Sequence, residues 1–322
     1  MHKVALLPEK ERSDVFTEAA ADKRTTPAII EKDFWVTWLL GRLFEHAELS
    51  ELLMFKGGTS LSKVYHLIER FSEDIDLILD WKVLTDEDPL AQRSRSKQDQ
   101  FNRLLDEQAK AYIGGELFVR LNELLVGTCA SEIDPDDPHI INVRYPAAFP
   151  DTYLRPVLRL EIGPQASWVP HEERAISCYA AQVFPDLFAT PECSVHVIKA
   201  ERTFWEKATI LHHEFHRPEG SIQPRRYSRH YYDLAMMAAS PVKDVALPDV
   251  GLLESVVLFK QRFYPRGWAR YDLAKPGTMR LVPEGHVLET VETDYSAMVN
   301  MIFGDIPEFD DILRSLQEVE GE

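Results

Sequence analysis

Asp74 and Asp76, one residue apart, are the side chains best placed to do chemistry in this chain, and a Gly57-Gly58 pair stands shortly before them. In Asp74-Ile75-Asp76-Leu77-Ile78-Leu79, acidic and apolar residues alternate. A strand has a period of two, so both carboxylates share one face while Ile75 and Leu77 share the other. Like charges held this close need a compensating cation or solvent, and hard divalent ions prefer oxygen ligands. Mg²⁺ is the natural occupant, with Mn²⁺ as its substitute. Metal ions of this kind hold the phosphate oxygens of a nucleotide and lower the pKa of an attacking hydroxyl. The pattern therefore predicts in-line displacement at phosphorus with an NTP as substrate.

The flanking elements must position that pair. Leu52, Leu53, Met54 and Phe55 form an apolar run ended by Gly57-Gly58, which reads as a buried strand entering a tight turn. A helix is expected next, with Leu61, Val64, Tyr65 and Ile68 on its apolar face and Thr59 and Ser60 capping its first turn. Such a terminus suits an anion, because glycine lets the backbone come close to a phosphate and a hydroxyl adds a donor. Gly57, Gly58, Thr59 and Ser60 are thus the candidate nucleotide-binding residues, and 13 residues separate Ser60 from Asp74. A second alternating strand, from Arg155 to Ile162, places Glu161 on the face it shares with Arg159 and Val157.

Elsewhere, Thr25-Thr26-Pro27 opens a helix whose Ile30, Phe34, Trp38 and Leu39 point to burial. Residues 82–97 are polar and read as an excursion, with Arg93 to Lys97 a flexible surface segment, before a helical stretch over 98–126. Asp134-Pro135-Asp136-Asp137-Pro138 is a turn, and a strand runs from Ile140 to Tyr145. After Lys199 the chain is mainly helical, broken by an arginine-rich loop and by Pro241, Pro248 and Pro265. Asp294 and Tyr295, with Met298, Met301 and Ile302, read as helix packing.

Composition narrows the class. The 322 residues are 45% hydrophobic, enough for a sizeable core, split into a catalytic and a helical domain. Cys129, Cys178 and Cys193 have no paired spacing, which argues against a disulfide framework or zinc knuckle. His212, His213 and His216 lack the partners that would complete a zinc tetrahedron. No apolar segment reaches the roughly 20 residues of a membrane span and the start lacks a signal-peptide core, so a cytoplasmic protein with no membrane partner is expected. With 36 basic against 53 acidic residues the formal charge is −17, which opposes general adhesion to nucleic acid. Any RNA contact must be local. Arg217, Arg225, Arg226 and Arg229, with Tyr227 as a stacking ring, form the candidate patch, and a solvated loop is the alternative.

Several blocks carry a family resemblance: Glu31-Lys32-Asp33-Phe34-Trp35, FKGGTSLSK (55–63), RFSEDIDL (70–77), VIKAERTFWEKATILHHE (197–214), SRHYYDLAMM (228–237) and DYSAMVNMIFGDIPEFDDIL (294–313). Together they resemble the AbiEii/AbiGii toxin family of nucleotidyltransferases, known from abortive-infection and toxin–antitoxin systems. The resemblance implies an α+β fold: a DNA polymerase β-like palm of mixed sheet and helices over residues 1–196, including the helical excursion near 82–126. A mainly helical domain over 197–322 would contribute to the active site. It implies Glu161 as a third metal ligand beside Asp74 and Asp76, the alternative being a structural pair with Arg159. Lys207, rather than Lys199, would neutralise the triphosphate. Asp233 matches the family's later aspartate and would orient Lys207, bind the sugar or act as a base. Arg229 would reach phosphate or pair with Asp233. The implied activity is transfer of NMP from an NTP to an acceptor hydroxyl, a tRNA end above all, with growth inhibition as the outcome and a cognate antitoxin as partner. A protein or small-molecule acceptor, and a non-enzymatic binding protein with a retained palm, are the alternatives.

Overall fold

The structure is a computed structural model that describes residues 1–70, 72, 74–149, 156–164 and 167–322. Two compact units emerge, one of Met1–Val64 with Ser72–Val197 and one of Tyr65–Phe71 with Ile198–Glu322. The first holds a seven-stranded sheet in the order β3-β4-β5-β2-β1-β7-β6. Its strands are β1 (Leu53–Lys56), β2 (Asp74–Leu79), β3 (Ala130–Ile133), β4 (Ile140–Arg144), β5 (Val157–Gly163), β6 (His171–Ser177) and β7 (Glu192–Ile198). β2 lies antiparallel to β1 and parallel to β5, and β1 lies parallel to β7, so the sheet is mixed and the α+β expectation holds.

The Pro27–Glu45 helix starts as its sequence requires, with Thr26 accepting from the Ile29 N–H at 3.4 Å and proline at the first position. It buries Ile30, Phe34, Trp35, Trp38 and Leu39, and Trp35 stacks on Tyr145 at 5.6 Å between centroids. Each large apolar side chain so enclosed contributes about 1.5–3 kcal/mol.

Four local expectations are corrected. The helix after the glycines is only Gly57–Lys63, so Val64, Tyr65 and Ile68 do not extend its apolar face. The chain turns away at His66, whose φ is +52°, and the Tyr65 hydroxyl donates to the Ile198 carbonyl at 3.0 Å. The 98–126 stretch begins earlier, as Arg95–Tyr112, and passes through a π turn at Ile113–Leu117, which contains Gly114-Gly115, before Phe118–Leu125. The 93–97 segment is built into that start: Arg93 lies 3.8 Å over the Phe101 ring and donates to Glu87. Strands β3, β6 and β7 were not expected from the sequence. β3 and β6 are edge strands with little burial, so neither displays a clean apolar alternation. Arg155, the expected start of β5, lies outside the described residues, as do Phe71 and Glu73 of the RFSEDIDL block.

The second unit is helical, with Ala200–Phe215, Ser228–Ala238, Val250–Phe263, Gly285–Met298 and Phe309–Gly321 as its longest helices. Among the described residues, no helix is long and apolar enough to cross a membrane.

Candidate active site

Asp74 and Asp76 emerge on one face of β2, half-buried, with Ile75 and Leu77 fully enclosed on the other. The sheet register sets their neighbours. Asp74 stands beside Arg159 and Asp76 beside Glu161 on β5, while Lys56 on β1 faces Asp76. The three carboxylates expected to work together therefore share one face of two adjacent strands.

Gly57 closes that face from the side. Its φ of +80° favours glycine, and a Cβ added there would overlap the Asp76 carboxylate. Both conditions exclude other residues, so the turn and the carboxylate are built against each other. The hydroxyls of the turn behave differently from expectation. Thr59 donates to the Asp74 carbonyl, and Ser60 donates to the Gly57 carbonyl at 2.8 Å, so neither caps a free backbone N–H. Thr59 instead ties the helix to the first aspartate.

Arg159 is a cation of this face, beside Lys56 at the Asp76 register position. Its Nε lies 3.2 Å from Asp74, while its terminal nitrogens lie 3.5 Å from Asp134 and 3.6 Å from Glu161. The pairing of Glu161 with Arg159 weighed from the sequence is thus present, as the longest of the three. Asp134 sits in the β3–β4 turn, where Asn142 and the Asp136 and Asp137 amides bond its carboxylate; these contacts, led by Asn142, hold its pKa below the ordinary value. Among the described residues, no group of three or more His, Cys, Asp or Glu side chains is arranged to hold a metal. The donor chemistry nonetheless suits a hard divalent ion: two carboxylates on one strand face with a third at the neighbouring register position.

A buried network in the same unit escaped the sequence reading. Lys63, at the end of the glycine-turn helix, bonds Asp33 at 2.6 Å and the Ser177 carbonyl at 2.9 Å. Asp33 also accepts from the Tyr179 amide at 2.7 Å. Glu31 accepts from the Ala148 and Phe149 amides, and burial raises its pKa in spite of them. Three consecutive charged residues, 31–33, in an otherwise apolar helix were the available signal, since such a run cannot all face solvent.

In the helical unit, Lys207 and Asp233 meet at 2.6 Å. The other partner of Asp233 is Arg70, whose Nε and Nη2 donate to the two carboxylate oxygens at 2.6 and 2.7 Å. Arg70, unassigned in the sequence reading, takes the place that was considered for Arg229. Burial favours a neutral Asp233, but Arg70 and Lys207 overcome it and hold the carboxyl well below the usual range. For Lys207 burial lowers the pKa against the pull of Asp233. His230 approaches Lys207 at 3.5 Å and is pushed well below its ordinary pKa by burial and by the charges of Lys207 and Arg229. Lys199 stands at the helix N-cap, 3.9 Å from Glu201.

The basic patch is smaller than the sequence suggested. Arg217 is buried, its guanidinium forked onto Glu214 at 2.7 Å by two bonds and stacked over Trp268, so it is removed from the proposed RNA surface. Arg225 and Arg226 are exposed, and Arg229 and Tyr227 half-buried. Asp294 supplies a cap rather than packing alone, accepting from the Arg226 and Ser228 amides and the Ser228 hydroxyl at the start of Ser228–Ala238. His212 accepts from the Arg280 amide at Nδ1 and donates from Nε2 to the Arg270 carbonyl; burial lowers its pKa to about 4.

A solved structure similar along the chain is MenT4, nucleotidyltransferase toxin Rv2826c from Mycobacterium tuberculosis H37Rv, at 15% identity and a TM-score of 0.47, covering 98% of this chain and 97% of that one. No curated protein matches the sequence. The model of the nucleotidyl transferase AbiEii toxin family, type IV toxin–antitoxin system, matches residues 38–315, and the chain belongs to that family.

Proposed function

We propose that this nucleotidyltransferase toxin moves a nucleoside monophosphate from an NTP to an acceptor hydroxyl, with Asp74, Asp76 and Glu161 as the acidic face of the reaction. The observation that carries the reading is the close approach of Gly57 to Asp76, which sets a glycine turn against the carboxylates. A bond forms from the acceptor oxygen to the α-phosphorus while the bond to the β-phosphate oxygen breaks, and pyrophosphate leaves. Mg²⁺, or Mn²⁺ in its place, would be held by Asp74, Asp76 and Glu161 and would neutralise phosphate charge and acidify the attacking hydroxyl. Gly57 and Gly58 admit the phosphates close to the backbone beside Thr59 and Ser60. Lys207 serves the triphosphate as a point charge, kept in place by Asp233 and by Arg70 behind it. Arg229 is assigned to phosphate as well.

RNA, ending in a tRNA-like hydroxyl, is the acceptor we favour, with Arg225, Arg226 and Arg229 as its contact. The loss of Arg217 from that patch and the charge of −17 favour a second reading, in which a protein or small-molecule hydroxyl is modified. Incubating the protein and its Asp74→Ala/Asp76→Ala variant with total RNA, Mg²⁺ and each α-labelled NTP separates the two. Label in tRNA-sized RNA from the intact protein alone supports RNA as acceptor. Label that appears only in protein or small molecules moves the assignment to the second reading, and none in any fraction ends both. The antitoxin of the system is the protein partner, and growth inhibition by the toxin should disappear with Asp76.

A further inference from the structure

Arg159 stands at a position the acidic chemistry does not require. It alternates with Glu161 on β5, lies at the register position beside Asp74, and reaches Asp74, Asp134 and Glu161 within 3.6 Å. We propose that Arg159 is a resident counter-ion that competes with a divalent cation for Asp74. This rests on the reading that Asp74 and Asp76 are metal ligands.

The bonding of the neighbours sets the direction of exchange. Asp134 is fixed by Asn142 at 2.9 Å and by two backbone amides, so it is a permanent seat for one arm of the guanidinium. Asp74 is fixed through its backbone carbonyl by Thr59, which leaves its carboxylate to the Arg159 Nε at 3.2 Å. Both side chains are partly open to solvent, 39% for Arg159 and 21% for Asp74, where water screens a single ion pair and leaves it weak. A pair of that strength yields to a divalent ion, whose charge is doubled and which binds oxygen directly. Released from Asp74, the guanidinium keeps Asp134. The arrangement holds the repelling carboxylates together without an ion and surrenders one of them when the ion arrives.

Two effects of removing Arg159 then have the same sign: the competitor for Asp74 is lost, and a positive charge near the divalent ion is lost. Titration of the full chain with Mn²⁺ alone, read by the electron paramagnetic resonance of free Mn²⁺, should give Arg159→Gln a Kd lower by about three- to tenfold than the unsubstituted protein. Arg159→Lys, which keeps the charge without the fork, should fall between them and serves where the glutamine variant folds poorly. An unchanged or higher Kd in both variants overturns the competition. Asp76→Asn is the control for the reading beneath it. If the unsubstituted protein binds Mn²⁺ no better than Asp76→Asn, the metal assignment itself fails and the competition fails with it. Normal binding lost in Asp76→Asn, with no gain in Arg159→Gln, rejects the competition alone.

Discussion

Two clusters of acid and base use the same residue types in opposite ways. On the sheet, one guanidinium is spread over three carboxylates at 3.2 to 3.6 Å in the presence of solvent. In the helical unit, one fully buried carboxylate is gripped by Arg70 and Lys207 at 2.6 Å each. Water screens the first and weakens each pair, whereas the second loses hydration on all sides and recovers it only through short, well-aligned bonds. The first is therefore suited to exchanging partners and the second to holding a lysine still. Substitution of Asp74 should therefore cost the fold little, and substitution of Asp233 much.

The sharpest way to break that contrast is to compare activity with stability. Asp76→Ala should lower nucleotidyl transfer by about 10²–10³-fold or more while unfolding in urea shifts by less than about 1 kcal/mol. Gly57→Ala should also lose most activity, because the new Cβ meets the Asp76 carboxylate. Retention of labelling by either variant would remove the sheet face from the reaction. Asp233→Ala leaves Arg70 and Lys207 buried without their shared anion and should cost about 3–5 kcal/mol of stability. Equal unfolding midpoints for Asp76→Ala and Asp233→Ala would erase the distinction between the clusters.

How much of this was legible in the sequence follows the same division. The sheet face was readable because alternation reports which side a strand residue occupies, and Asp74, Asp76 and Glu161 fell on the side it indicated. The turn was readable as glycine but not as hydrogen bonding, since Thr59 meets its acceptor, the Asp74 carbonyl, only once β2 has returned beside it. Arg70 was not readable as the partner of Asp233. The two are 163 residues apart, and no local period links them. Arg217 looked like surface because arginine in a Pro- and Gly-containing loop usually is, and only Glu214 and Trp268 in place reveal its burial.

Acid should strain the helical unit before it protonates that unit's own buried carboxylates, Glu214 and Asp233. His212 has its folded pKa lowered to about 4, so the unfolded chain takes up a proton near pH 6.5 while the folded chain does not. Stability contributed by neutral His212 is present above pH 6.5 and is lost progressively down to about pH 4, by at most about 1.4 kcal/mol per pH unit for one group. The lowered pKa of Glu214, about 2, works in a separate window: its contribution is present above the usual glutamate value of 4.5 and fades only as pH falls towards 2. Urea unfolding at pH 7.5, 6 and 5 should therefore show a slope that His212→Gln reduces. An unreduced slope would assign the loss to other groups, His230 first among them.

The smallest effect on the fold should come from the exposed arginines, and it tests the acceptor. Arg225→Gln/Arg226→Gln removes two charges from a solvated loop and should change stability by no more than about 0.5 kcal/mol. The backbone N–H of residue 226 still donates to Asp294, so the cap of the Ser228–Ala238 helix survives the substitution. If RNA is the acceptor, KM for RNA should rise and its salt dependence flatten while KM for NTP stays constant, because each lost phosphate contact releases fewer counterions. Arg217→Gln provides the contrast, with stability lost and the salt dependence of any remaining activity kept. An RNA KM indifferent to Arg225 and Arg226 would leave the strongly acidic chain without its local basic contact, and the acceptor would then be sought among proteins and small molecules.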